Sequence, residues 1–181
     1  MHKLKKQYRL PGFNYASNNA YFVTIVCANS TSFFGEIEEG KMRFSEIAEY
    51  VENEIQMALK FKNNILIPEY VIMPNHLHMI VVLQNEIVEE VPPPSDLPFG
   101  DGFIRRGHIS PLQKGSLSAF VNSLKGRVTR RSKENGYIDF GWQARFHDRI
   151  IRGEKEYNQV AEYIINNVRN WDEDSENKRN Y

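Results

Sequence analysis

The stretch between residues 65 and 83 constrains the fold more than any other part of this chain. It holds two apolar runs, Ile65 to Met73 and His76 to Leu83, and Pro74-Asn75 between them marks a tight turn. Two strand-like runs joined by so short a turn predict neighbouring antiparallel strands. Because the second run is apolar at nearly every position apart from its histidines, we expect it to be a strand buried on both faces.

Strand and helix patterns alternate along the rest of the chain. β-branched and aromatic residues predict a strand over Tyr21 to Ala28, and Phe33 to Phe44 is typical of a hairpin. Apolar residues at helical spacing predict three helices. These cover Ser45 to Phe61, Ser116 to Lys133 and Glu154 to Trp171. The order predicts the α+β class, with an antiparallel sheet of four to five strands and helices packed on one face.

The length of 181 residues predicts a single domain over residues 1–181. Residues 85–115 break the pattern, because five of the eight prolines fall there with almost no periodicity. We therefore expect a Pro/Gly-rich insertion at about 85–115.

Composition limits the compartment and the kind of metal site. No apolar run is long enough to span a membrane, and the opening residues lack the apolar stretch of a secretory signal, so a cytoplasmic protein is expected. Cys27 is the single cysteine, which excludes an intramolecular disulfide and a thiolate zinc cluster. Any metal site must therefore use histidine, carboxylate or amide ligands.

Charge is unevenly distributed although the formal net charge is zero. Between residues 105 and 152 there are eleven basic and three acidic side chains. Five of the basic residues fall on the second predicted helix: Lys125, Arg127, Arg130, Arg131 and Lys133. Such a segment is typical of contacts with a phosphate backbone, and a solvated helix face that balances acidic neighbours is the open alternative.

His76 and His78 are the sharpest chemical signal in the sequence. Alternate residues of a strand face the same side about 7 Å apart, so the two imidazoles can converge on one ion. A polar strand face is the common explanation of such a pair. Here the surrounding residues are apolar, and two buried histidines need partners that offset their desolvation. The pair therefore favours a metal site.

The last predicted helix offers a nucleophile and a further ligand beside its apolar stripe. Tyr163 and Asn167 lie about 120° and 80° to one side of that stripe, one turn apart, so their polar groups point the same way. A tyrosine at a core edge usually only packs. Tyr157 illustrates that case in the same helix, because Ala161 stands four residues later instead of a possible ligand.

These residues resemble a known family. His76-Leu77-His78 within VIMPNHLHMIVVL resembles the HUH motif (histidine, hydrophobic residue, histidine) of the single-tyrosine transposases, in particular the REP-associated tyrosine transposases of the IS200-like group. Four further segments are similar to that branch and occur in the same order. They are YRLPGFNYASNNAYFVTI, SLSAFVNSLKGRVTR, GWQARFHDRIIR and YIINNVRNW. The resemblance covers nearly the whole chain apart from residues 85–115.

Carried over position by position, the resemblance makes His76 and His78 metal ligands, Tyr163 the nucleophile and Asn167 the third protein ligand. It also implies a sheet with the topology of an RNA-recognition motif. The family commonly has a proline where Val168 stands, and we expect Val168 to extend the helix instead.

The DNA contacts implied by the basic helix and by the GWQARFHDRIIR segment are Lys125, Arg127, Arg130, Arg131, Arg145 and Arg149. His147 lies in the same segment, and its role stays open between structure, phosphate contact and proximity to the site.

The implied function is metal-dependent cleavage and rejoining of single-stranded DNA through a 5′-phosphotyrosine intermediate, on hairpin or palindromic DNA, with Mg²⁺ or Mn²⁺. The implied protein is a prokaryotic, nucleoid-associated enzyme of the cytoplasm, either monomer or homodimer. Two alternatives remain: a metal-dependent phosphodiester hydrolase that uses a metal-bound water, and a non-catalytic protein that binds hairpin DNA.

Overall fold

A computed structural model of the chain describes residues 18–84, 115–174 and 176–177. The elements in these ranges are β1 (Ala20–Val26), β2 (Gly35–Glu38), β3 (Lys41–Phe44), α1 (Glu46–Phe61), β4 (Ile65–Leu66), β5 (Tyr70–Ile72), β6 (His76–Leu83), α2 (Leu117–Glu134), β7 (His147–Ile150) and α3 (Glu154–Asn166). The insertion expected at about 85–115 lies outside the described residues, except for residue 115. Within the described part of the chain, no helix is both long and apolar enough to cross a membrane.

The strand β6 lies at the centre of a five-stranded antiparallel sheet. It pairs with β1 from His76 to Val82, and β1 pairs in turn with the edge strand β7. On its other side, β6 pairs with β5 near its beginning and with β4 near its end. The predicted α+β class with an antiparallel sheet of up to five strands is therefore confirmed.

Alternate residues of β6 divide between the two faces of the sheet. Leu77 belongs to the main core, where the helices α1 and α2 cover one face. Ile80 packs with Ile164 of α3 in a smaller core on the opposite face. His76 and His78 share the face of Ile80, so the fold places both histidines beside α3.

The helices α1 and α2 begin at serine caps. Ser45 accepts a hydrogen bond from the Ala48 N–H at 3.2 Å, and Ser116 accepts one from the Ala119 N–H at 3.2 Å. Each cap satisfies a backbone donor that the first helical turn leaves unpaired. Ser45 also donates to the Phe33 carbonyl oxygen at 2.7 Å, which ties the helix start to the chain before the β2–β3 hairpin.

We predict that Ser45→Ala lowers the free energy of unfolding by about 1 kcal/mol, because the helix loses its cap. Urea denaturation followed by circular dichroism measures the change. Ser123→Ala in the middle of α2 is the control, since it removes a hydroxyl that caps no helix, and it should shift stability by less than about 0.5 kcal/mol. Equal effects of the two substitutions would contradict the capping role.

The predicted strand Ile65 to Met73 is divided in the structure. β4 ends at Leu66 and β5 begins at Tyr70. Pro68 stands between them and has no N–H to donate to a sheet ladder, which explains the interruption. Pairing resumes where the Ile80 N–H donates to the Glu69 carbonyl oxygen at 2.8 Å.

The last helix is shorter than predicted, because α3 ends at Asn166 rather than at Trp171. Asn167 is its C-terminal cap, and its N–H donates to the Ile164 carbonyl oxygen, as in a tightened last turn. The Asn167 side chain is turned inward, where its amide donates to Asp174. Val168 thus does not extend the helix, and the chain folds back through a short 3-10 turn at Trp171–Glu173.

Candidate metal centre

His76 and His78 lie side by side in the protein interior. Their ring centroids are 4.4 Å apart, and the residues are 0% and 4% exposed. The central strand holds both side chains on one face, as the alternation predicts. The structure therefore brings together the two histidines that the sequence singled out.

Each histidine is oriented through its Nδ1 atom. Nδ1 of His76 lies 2.8 Å from Oδ1 of Asn75, and Nδ1 of His78 lies 2.8 Å from Oγ1 of Thr24. With Nδ1–H donating to those oxygens, both Nε2 atoms keep a free lone pair. Burial lowers the pKa of His76 to about 3, and the neighbouring His78 adds to that effect. A neutral imidazole fixed in this way has the state and orientation of a metal ligand.

Asp174 supplies a carboxylate that the sequence did not identify. Its Oδ2 lies 4.0 Å from Nε2 of His76 and 3.9 Å from Nε2 of His78. Burial alone would raise the pKa of this carboxyl, but the adjacent His78 ring, the Glu176 N–H and the Asn167 amide hold the pKa below its usual range. Asp174 is therefore ionised.

Asn75 holds the segment that carries Asp174 close to the two histidines. The Asn75 amide donates to the Glu176 carbonyl oxygen at 2.7 Å and to the Ser30 carbonyl oxygen at 3.2 Å. Its Oδ1 accepts from His76, so one side chain orients a histidine and anchors the segment that carries Asp174.

Tyr163 reaches the same cluster from α3. Its hydroxyl lies 3.0 Å from Oδ2 of Asp174, to which it donates, and 3.2 Å from Nε2 of His78. Burial and the charge on Asp174 raise the pKa of this phenol. The residue is nevertheless 41% exposed, so an outside molecule can reach the cluster at this point.

The donor atoms fit a bound metal ion. His76, His78 and Asp174 each offer one ligand atom, and these atoms lie within 4.8 Å of one another. That spacing is close to the reach of two metal–ligand bonds of about 2.1 Å each. Among the described residues, Nε2 of His76 and Oδ1 of Asn167 are buried and have no hydrogen-bond partner. A divalent cation would satisfy both atoms.

We predict that Asn75→Ala weakens Mn²⁺ binding by about 10 to 100-fold, the usual effect of losing a group that orients a ligand. Isothermal titration measures the affinity, and circular dichroism checks the fold. Asn166→Ala is the matched control, because Asn166 donates only to the Glu162 carbonyl oxygen on the surface of α3. Unchanged affinity in Asn75→Ala would mean that the histidines need no such support.

The structure separates the basic residues expected to contact DNA. Arg127 forms an ion pair with Glu54 at 3.4 Å, and Arg131 stacks over the ring of Tyr50, so both turn toward α1. Lys125 and Arg130 line a groove on the other side of α2.

The two arginines expected from the GWQARFHDRIIR segment are both exposed. Arg149 pairs with Glu156 of α3 at 3.4 Å. His147 is also exposed and pairs in register with Thr24, so it lies on the histidine-bearing face of the sheet.

The fold and this cluster together define an α+β protein with a buried His-His-Asp group beside a tyrosine. A Haemophilus influenzae protein described as uncharacterized is 35% identical over 173 residues, which cover 94% of this chain and 91% of that protein. This chain therefore belongs to the same family as that protein. No protein-family model matches the chain.

Solved structures identify the fold. A REP-associated tyrosine transposase bound to a REP hairpin has a TM-score of 0.55 and 19% identity, covering 91% of this chain and 73% of that one. The resemblance seen in the sequence is thereby confirmed at the level of the fold. A structure from Deinococcus radiodurans has a TM-score of 0.44 and 13% identity, covering 88% of this chain and 97% of that one.

Proposed function

We propose that this protein is a metal-dependent transesterase of single-stranded DNA, which cuts a strand with Tyr163 and holds the 5′ end as a phosphotyrosine. The observation that carries the proposal is the position of the Tyr163 hydroxyl, within hydrogen-bond distance of both His78 and Asp174. A tyrosine with only a packing role would not need to place its hydroxyl beside a buried histidine and a buried carboxylate. Tyr157, whose ring packs against the smaller core, is such a residue in the same helix.

The fold supports the same class of activity. One solved neighbour is a REP-associated tyrosine transposase bound to a REP hairpin. We propose hairpin or palindromic DNA as the substrate of this chain as well, with cleavage at an unpaired part of the strand. The reason is steric, because Tyr163 stands on a helix that packs against the sheet, and an intact duplex cannot easily bring its scissile phosphate there.

In the proposed step, the phenol oxygen of Tyr163 bonds to phosphorus while the bond from phosphorus to the 3′ oxygen breaks. The phenol proton passes to the Asp174 carboxylate, which already accepts a hydrogen bond from this hydroxyl. The departing 3′ oxygen takes a proton from water. Attack by the 3′-hydroxyl of another strand reverses the step and joins DNA without a nucleotide cofactor.

The charge of Asp174 determines when the phenol loses its proton. Burial and this carboxylate raise the pKa of Tyr163, so the free protein holds a neutral phenol at pH 7. The low pKa of Asp174 makes it a weak base. Proton transfer therefore accompanies formation of the oxygen–phosphorus bond, since the phenol oxygen becomes more acidic as that bond forms.

The ligands that we propose are Nε2 of His76, Nε2 of His78 and Oδ1 of Asn167, with Oδ2 of Asp174 within reach of the same ion. When bound, a divalent ion polarises a nonbridging phosphate oxygen as a Lewis acid. Imidazole nitrogens favour a transition-metal ion over Mg²⁺, and amide and carboxylate oxygens suit both Mg²⁺ and Mn²⁺. We therefore propose Mg²⁺ or Mn²⁺ as the metal.

The test is incubation with a radiolabelled hairpin that carries an unpaired 5′ extension, with Mn²⁺, followed by a denaturing gel and mass spectrometry. A covalent adduct between the protein and the 5′ phosphate of the cut strand is expected. Cleavage without an adduct would indicate a hydrolase that uses water, and binding without cleavage would indicate a DNA-binding protein. Either result would overturn the transesterase proposal.

A further inference from the structure

A groove runs between α2 and the chain at residues 140–144, with a volume of about 710 Å³. Its lining includes Gly126 of α2 and the pair Gly141 and Trp142, here called the floor. The charged residues of the lining, here called the rim, are Lys125, Arg130, Lys133 and Glu134. The exposed surface is mostly apolar, and the rim is positive on balance because three of its four charged residues are basic.

The charges on this rim differ from the other charges of α2. Arg127 and Arg131 are engaged by Glu54 and Tyr50 of α1. In the part of the chain that the structure describes, neither Arg130 nor Lys133 forms an ion pair with an acidic side chain. The groove therefore retains cations that are open to an anionic ligand.

Gly126 is unexpected where it stands. Glycine is among the least favourable residues in a helix interior, and Gly126 lies in the middle of α2. Neither the backbone nor the packing requires it. Its φ is not among the positive values of the described glycines, and a Cβ built there would meet nothing within 4 Å. An open space kept in front of a helix backbone suits the close approach of a ligand.

The groove adjoins the sheet at the end of β1, on the face that α1 and α2 cover, where Trp142 packs against the main core. Trp142 forms an isolated bridge with Cys27, and the Gln143 N–H donates to the Val26 carbonyl oxygen at 2.9 Å. Val26 pairs with His76 across the β1–β6 ladder. These contacts hold the groove floor to the end of β1, where Val26 pairs with His76.

We propose that this groove is a subsite for unpaired nucleotides that flank the scissile phosphate, an inference that rests on the proposed function. Phosphates of the strand contact Arg130 and Lys133, and a sugar or base lies against Trp142. Gly126 allows the strand to approach the backbone of α2. Aromatic surface beside cations is the usual means of holding a single strand without reading its sequence.

The first test compares two double variants that remove the same charge from the same helix. Binding of a fluorescein-labelled unpaired oligonucleotide of about 16 nucleotides is measured against salt concentration, without divalent metal. R130Q with K133Q should reduce the slope of log affinity against log salt by about 1.4, or about 0.7 for each phosphate that the protein no longer neutralises. R127Q with R131Q, which alters the α1 side, should leave the slope unchanged.

The second test is Gly126→Ala, which separates binding from folding because the two effects have opposite signs. The melting temperature should rise by about 2 to 4 °C, since alanine favours the helix. The affinity for the oligonucleotide should fall at least threefold, because the added methyl occupies the approach. Higher stability with unchanged affinity would overturn the proposal.

The outcomes also separate this subsite from the proposed function. Equal slopes in the two double variants, or a slope change seen only with a blunt duplex, would overturn the subsite and leave the Tyr163 adduct standing. Absence of an adduct in the unmodified protein, with the slope change intact, would overturn the transesterase and leave a single-strand binding groove.

Discussion

Tyr163→Phe is expected to abolish strand cleavage and the covalent adduct while the protein stays folded. The substitution removes one oxygen atom, which is the proposed nucleophile. It also removes a hydrogen bond to Asp174, so the free energy of unfolding should fall by about 1 kcal/mol, with the ring still packed near Phe22. A denaturing gel measures cleavage and urea denaturation measures stability.

Two other tyrosines serve as controls for this result. Tyr157→Phe alters a ring of the same helix that packs against the smaller core, and it should leave cleavage intact. Tyr137→Phe removes a hydroxyl that donates to Glu46 at 2.8 Å, away from the histidines. Peptide mapping of a trapped complex should place the nucleotide on the peptide that contains Tyr163. An adduct on either control tyrosine would show that the nucleophile was wrongly chosen.

The parts of the site that could be predicted from sequence are those set by local periodicity. The two-residue period of a strand places His76 and His78 on one face, and the helical period, which continues to the C-terminal cap of α3, places Tyr163 and Asn167 on one side. Both periods hold within a single element. The distances across elements, such as that from the Tyr163 hydroxyl to His78, follow from the fold and could not be read from either pattern.

Asp174 and Asn75 could not be predicted for the same physical reason. Asp174 stands in the acidic stretch WDED, where spacing does not distinguish it from its neighbours. It enters the site because α3 ends at Asn166 and the chain turns back. Asn75 reads as a turn residue beside Pro74, and its hydrogen bond to Glu176 joins positions 101 residues apart.

The basic helix shows a further limit of the sequence. The helical period tells which residues of α2 share a side, but it does not tell which neighbour that side meets. Glu54 and Tyr50 of α1 engage two of the expected DNA contacts, Arg127 and Arg131. Only the packing of α1 against α2 reveals that the remaining cations border a separate groove.

His78→Ala and His76→Ala should each weaken Mn²⁺ binding by more than the roughly 100-fold that follows loss of an orienting group. Each substitution removes one of the proposed Nε2 ligands. Water must then take the place of that ligand, so the protein binds the ion more weakly. Isothermal titration measures the affinity. Because His76 is fully buried, His76→Gln provides a second variant that fills more of the space if the alanine form unfolds.

The control is His147→Ala, which removes an exposed histidine from the same sheet face and should leave Mn²⁺ affinity unchanged. Thermal unfolding gives a readout that is independent of activity. At a Mn²⁺ concentration about 100 times the dissociation constant, binding should stabilise the unmodified protein by about 2.7 kcal/mol, and the two ligand variants should lose this gain.

Asp174→Asn tests whether the Asp174 carboxylate is a fourth ligand. A loss of Mn²⁺ affinity as large as that of His78→Ala would make this carboxylate a ligand rather than only the acceptor of the phenol proton. Full Mn²⁺ stabilisation in both histidine variants would return the pair to a structural role and remove the metal from the proposed reaction.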